Sequence, residues 1–206
     1  MSLARRLWAD NADLAGAALA HPFVQGLADG TLPRDRFTGY LAQDAFFLQT
    51  FARGYAMAVV RSPDRAGLEA FADLLAGVRD ELRLHDAVAA REGIDLAAVE
   101  PAPATSAYTD FLLATASTGG LGEICAAMTP CMRLYAFLGR SLAGSAPGPY
   151  ADWVTAYADP GFEALAATLE GLLDRYADDG PVVPRAYRRA MELELAFFES
   201  AWAAGT

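Results

Sequence analysis

Three side chains in this sequence could do chemistry and sit where apolar residues belong: Cys131, Asp44 and Glu199. Cys131 stands in "MTPCMRLY", residues 128–135, directly after a proline in a run that otherwise reads as helix. Thr129-Pro130 has the form of an N-cap and a first-turn proline, which would place Cys131 in a first turn where the macrodipole favours a thiolate. The alternative is a small buried thiol that fills the core. Asp44 has Tyr40, Leu41, Phe47, Leu48 and Phe51 around it at helical spacing. It is either a carboxylate paired with an arginine or a capping amide, or a group held for a ligand. Glu199, in "ELAFFESAW", has Leu195 four residues before it and Trp202 three after. It either reaches solvent or, if buried, becomes a general acid or base working near neutral pH.

A fourth constellation is Glu81 and His85 in "DELRLHD", an i, i+4 pair that can hold a metal on one helix face. The chain has only two histidines, and the other, His21, precedes Pro22 in an expected turn. A di-iron bundle would show Glu-x-x-His twice, and it does not occur twice here. The reading is a hydrogen bond on a helix surface, with a metal-dependent oxidase as the rival.

These residues need elements to position them. The 206 residues are 54% hydrophobic, enough for a substantial core in one domain spanning residues 1–206. Pro and Gly cluster at 21–23, 62–64, 100–106, 144–149, 159–162 and 178–184, and the stretches between are too long for strands. In 34–60 a stripe of Phe37, Tyr40, Leu41, Asp44, Leu48 and Phe51 follows helical spacing. Tyr187, Met191, Leu195, Phe198 and Trp202 do the same in 184–204. The pattern predicts helices at 2–19, 23–29, 34–61, 64–92, 104–119, 121–143, 149–158, 160–177 and 184–204, with Thr31 as an N-cap before Pro33. The fold class is all-α, a helical bundle.

Sixteen basic against 26 acidic residues leave a formal charge of −10. Such a surface repels phosphate backbones and anionic lipid, so neither nucleic acid nor a membrane is an expected partner. Cys125 and Cys131 cannot make a disulfide framework, and no CxxC pair is present. Reduced thiols in the cytoplasm are expected. No run approaches a spanning length, and Asp10 and Asp13 interrupt any leader-like N-terminus, so an unprocessed chain is expected.

Taken in order, "HPFVQGLADGTLPRDRFTGYLAQDAFFL", "AYTDFLL", "TPCMRLYAFLG", "WVTAYADPGFEAL" and "ELAFFESAW" resemble the TenA/thiaminase II family, from about residue 2 to 204. The resemblance implies a haem-oxygenase-like fold, a homotetramer and no cofactor or metal. It implies hydrolysis of thiamin-pathway pyrimidines: 4-amino-5-aminomethyl-2-methylpyrimidine to its 5-hydroxymethyl counterpart with loss of ammonia, and in some members cleavage of thiamin. By position, Cys131 matches the family nucleophile and Glu199 its acid/base. Asp44 matches the carboxylate that binds the amino-pyrimidine edge, and Tyr108, Tyr135 and Tyr157 match pocket tyrosines. The chain departs from the family pattern at Phe47, where tyrosine is common, at Arg133, where an aromatic is common, and at Phe198, where tryptophan is frequent. These departures bear on substrate preference. The rival from another class is a non-catalytic or regulatory pyrimidine binder.

Overall fold

The computed structural model describes residues 1–144, 148–178 and 180–204. The turns expected at 144–149 and 178–184 therefore lie partly outside the described residues. Ten α-helices follow one another among the described residues: α1 Leu3–Asp10, α2 Ala12–Ala20, α3 Pro22–Asp29, α4 Arg34–Arg61, α5 Arg65–Glu92, α6 Pro103–Thr118, α7 Leu121–Leu142, α8 Ala151–Ala158, α9 Pro160–Tyr176 and α10 Val182–Ala203. A short 3-10 turn, Leu96–Ala98, lies between α5 and α6. Among the described residues there is no strand.

The sequence expectations hold for the long helices and fail at two starts and one interior. The helix expected over 2–19 is broken at Asn11, whose Nδ2 donates to the Leu7 carbonyl at 2.8 Å. Its side chain satisfies the last turn of α1 and stops the ladder. Thr31 does not cap α4: its hydroxyl donates to Asp29, and Pro33 occupies the cap position. Thr129-Pro130 is not a helix start either, because α7 runs straight through Pro130.

α7 is the axis of the molecule. It packs against α8, α9 and α10 and also meets α4 and α6. Its sequence is apolar nearly all round, from Ile124 through Leu142, as burial on several sides requires. Two glycines let other backbones approach it. A Cβ at Gly122 would stand 2.4 Å from the Cα of Ala177, and one at Gly139 would stand 2.3 Å from the carbonyl carbon of Tyr157. Arg133 pins α7 to α9 from the far side. Its guanidinium donates to both carboxylate oxygens of Glu170 at 2.8 and 2.7 Å and to Glu163 at 2.8 Å. Phe23, Tyr40, Phe51, Phe71 and Phe198 are fully buried around these helices. Burying a side chain of this kind contributes roughly 1.5–3 kcal/mol.

Candidate active site

The stripes of α4, α6, α7 and α10 converge on a narrow, tightly closed pocket lined by Asp44, Phe47, Tyr108, Tyr135, Glu194 and Phe197. Phe47 faces Tyr108 with ring centroids 4.7 Å apart and Phe197 at 6.1 Å. Tyr135 is backed by Tyr157 at 4.8 Å and Phe198 at 5.8 Å. Helical spacing accounts for the grouping: Asp44 and Phe47, Cys131 and Tyr135, and Glu194 and Phe197 are each three or four residues apart on one face.

Asp44 is 5% exposed, yet its partner is neither an arginine nor a capping amide. Its Oδ2 faces Nε2 of His85 at 2.8 Å. Nδ1 of His85 donates to the backbone carbonyl of Glu81 at 3.0 Å. Glu81 in turn accepts the Tyr157 hydroxyl at 2.7 Å. The Glu81–His85 pair is thus an inner support for Asp44 and not a contact on a helix surface, and the contact between the two runs through Glu81's backbone. Burial opposes charge on His85, but the hydrogen bond and attraction of Asp44 outweigh it and raise its pKa to about 9. Burial, then the neighbouring Asp44 charge, push the Glu81 carboxyl up to about 7. Among the described residues no three His, Cys, Asp or Glu side chains are grouped as metal ligands.

Glu199 is not in the cavity. Its side chain is 69% exposed, and its Oε2 lies 2.9 Å from Nε2 of His21. His21 caps α3, with Nδ1 accepting from the Phe23 backbone, so Nε2 carries the proton it offers Glu199. The carboxyl beside Cys131 is Glu194, five residues earlier and 2% exposed. Its Oε1 accepts the Tyr108 hydroxyl at 2.7 Å. Burial raises the Glu194 pKa to about 8, so at neutral pH it is a carboxylic acid. Glu194 is hard to single out in the sequence because "ELELAFFES" carries three acidic residues close together, and the resemblance aligns Glu199 with the acid/base. One signal could have found it: Glu194 stands three residues after Met191 and four before Phe198, both on the apolar stripe, with Tyr187 seven before.

Cys131 is partly buried near the middle of α7, one turn before Tyr135 and next to Glu194. It gains nothing from a helix start. Burial, then the nearby Glu194, Asp44 and Glu81, push its thiol pKa well up, so it rests as a thiol. Pro130, inside the helix, cannot donate to the carbonyl four residues back, and the Thr129 hydroxyl bonds the Cys125 carbonyl at 2.7 Å. Cys125 is wholly buried, and desolvation raises its thiol to about 12. Tyr157 stands behind the cavity wall at Glu81, while Tyr40 donates to the Tyr135 hydroxyl at 3.1 Å and accepts from Trp153 at 3.3 Å. Of the three departures, Phe47 lines the cavity, Arg133 points away from it to α9, and Phe198 is buried behind Tyr135.

These helices make an all-α bundle in which a histidine-backed aspartate and a buried carboxyl line one small pocket, with a thiol beside the carboxyl. The same architecture occurs, at TM-score 0.77 and 15% identity, in a Shewanella denitrificans domain of unknown function with a heme oxygenase-like fold, over 98% of this chain and 92% of that one. The family model for TENA/THI-4/PQQC matches residues 8–204, and the chain belongs to that family. It is 36% identical over 185 residues to the aminopyrimidine aminohydrolase of Halalkalibacterium halodurans, covering 86% of this chain and 83% of that protein. It is 34% identical over 210 residues to the mitochondrial bifunctional TH2 protein of Arabidopsis thaliana, covering 87% of this chain and 34% of that longer protein. The chain thus spans about a third of that relative's length. A solved TenA family transcription regulator from Silicibacter sp. TM1040 superposes at TM-score 0.90 with 28% identity, covering 97% of this chain and 96% of that one. No helix among the described residues is long and apolar enough to cross a membrane.

Proposed function

We propose that this protein is an aminopyrimidine aminohydrolase of thiamin salvage, a hydrolase that converts 4-amino-5-aminomethyl-2-methylpyrimidine and water to the 5-hydroxymethyl compound and ammonia. The observation that carries the reading is a thiol beside a neutral carboxylic acid, Cys131 and Glu194, with Asp44 in the same cavity wall. The membership and the named aminohydrolase relatives support the same chemistry.

In this reading Asp44 accepts from the ring's exocyclic amino group and the aromatic walls hold the ring. Glu194 gives its proton to a ring nitrogen while the sulfur of Cys131 adds to a ring carbon, and the thiol proton passes to the Glu194 carboxylate. Addition places electrons in the ring that expel the substrate's protonated amino group from the exocyclic carbon as ammonia and leave a methylene there. Water adds to that methylene and loses a proton to solvent, the carbon–sulfur bond breaks, and the ring nitrogen's proton passes to the departing sulfur, so thiol and acid are restored. A resting thiol suits this sequence, because proton and sulfur move together and no free thiolate is required. No metal or cofactor enters these steps. The reading takes residues 1–206 as one domain acting in the cytoplasm, as the two free thiols suggest, and as a homotetramer, which is carried over from the resemblance. Thiamin is the second substrate to test.

The test is incubation of the purified chain with the aminomethylpyrimidine and with thiamin, following ammonia and thiazole release. Cys131→Ala is expected to abolish turnover while ligand binding persists. If neither substrate turns over in folded protein, the proposal fails; if Cys131→Ala turns over normally, the cysteine is not the nucleophile.

A further inference from the structure

His85 has two ring nitrogens and both face acceptors. Nδ1 meets the Glu81 backbone oxygen at 3.0 Å, and a carbonyl can only accept, so Nδ1 carries a hydrogen. Nε2 meets Asp44 Oδ2 at 2.8 Å. That contact is satisfied either by an imidazolium against a carboxylate, or by a neutral ring against a protonated aspartate. The charged groups acting on His85 are Asp44 from α4 and Glu81 from its own helix, and both favour the cation. His85 and Asp44 side chains are only 8% and 7% exposed, so water does little to screen the pair.

We propose that His85 is a positioning residue, a buried imidazolium that keeps Asp44 acceptor-only and so selects rings presenting an amino group over rings presenting a carbonyl. The proposal rests on the aminopyrimidine reading and deepens it. With Oδ2 held by His85, Asp44 offers its other oxygen to the cavity it lines. An acceptor-only group rewards an N–H donor and leaves a carbonyl oxygen facing another acceptor, which is costly when buried. Removing the cation leaves a buried carboxylate with no charge to offset it, and burial disfavours the charged form of an unpaired acid. A protonated aspartate donates as well as accepts, and its preference for the amino ring disappears.

The experiment measures binding of two unreactive ligands, 4-amino-2-methylpyrimidine and 2-methyl-4-pyrimidinone, to wild type and His85→Gln by calorimetry. Wild type is expected to prefer the amino ring by about tenfold to a hundredfold, the scale of one buried hydrogen bond to a charged group. His85→Gln is expected to lose most of that ratio through weaker amino-ring binding and maintained or improved carbonyl-ring binding. A ratio unchanged in His85→Gln overturns the selection while the aminopyrimidine reading stands. Wild type that binds neither ring overturns that reading and the selection with it. Nitrogen-15 NMR of the wild-type histidines near neutral pH needs no variant to fold: both His85 nitrogens are expected to be protonated, and a neutral ring overturns the proposal.

Discussion

Glu194 and Glu199 lie on one helix, and five positions at 100° each turn the second well away from the first. Tertiary packing makes one a buried acid and leaves the other an exposed carboxylate on His21. Glu194→Gln is expected to lower kcat by about two to four orders of magnitude, as loss of a general acid does. Glu199→Gln is expected to stay within a few-fold of wild type, since an exposed pair contributes about 0–1 kcal/mol. Ammonia-release kinetics on both variants decide it, and the opposite ranking would return the acid to Glu199. The pH profile belongs to the same residue. Glu194 loses its proton as pH rises through about 8, so kcat/KM is expected to fall on that limb. A profile in wild type that stays flat from neutral to pH 9, or rises, contradicts an acid role for Glu194.

At the scale of elements, α7 decides whether the site can form. It carries Tyr135 to the cavity wall, Cys131 to Glu194 and Arg133 toward α9, so each helix face has one task. Gly139 lets α8 come close enough for Tyr157 to reach both Tyr135 and Glu81. Gly139→Ala puts a methyl into backbone atoms of Tyr157 and Ala158, which cannot swing aside as a side chain tip would. Overpacking of this kind costs about 1–3 kcal/mol. Denaturant unfolding should show that loss, and ammonia-release assays should show reduced turnover in the fraction still folded. A variant as stable and active as wild type would mean that α7 and α8 separate freely and that Tyr157 is not held for function.

Across the whole molecule, the site sets a pH dependence on stability. Folding raises the pKa of Glu81 from 4.5 to about 7, of Glu194 from 4.5 to about 8 and of His85 from 6.5 to about 9. Each contributes stability that is complete below its unfolded value and is lost as pH rises toward its folded value, because the unfolded chain releases the proton first. All three act in the same direction, so unfolding free energy is expected to fall steadily between pH 4.5 and 9. Urea titrations across that range measure it. The upper part of the decline, from 6.5 to 9, should flatten in His85→Gln, and stability that rises across the same window would show that these groups are not held as described.

The sequence by itself determined the all-α class, the long helices α4, α5, α7 and α10, the family, and Asp44, Phe47, Tyr108, Cys131 and Tyr135 as residues of interest. These were legible because helical periodicity and ordered motifs are local or one-dimensional. Three things were decided only in the tertiary structure: which of two nearby glutamates is buried, that Pro130 lies inside a helix and not at its start, and that His85 stands behind Asp44. Burial and pairing depend on neighbours far away in the chain. Glu194 is an acid because the packing of α6, α7 and α10 buries it, against the pull of the Tyr108 hydroxyl, and Asp44 has its partner 41 residues away on α5. Spacing along a helix gives a side chain's direction, and only the packed helices say what it meets there.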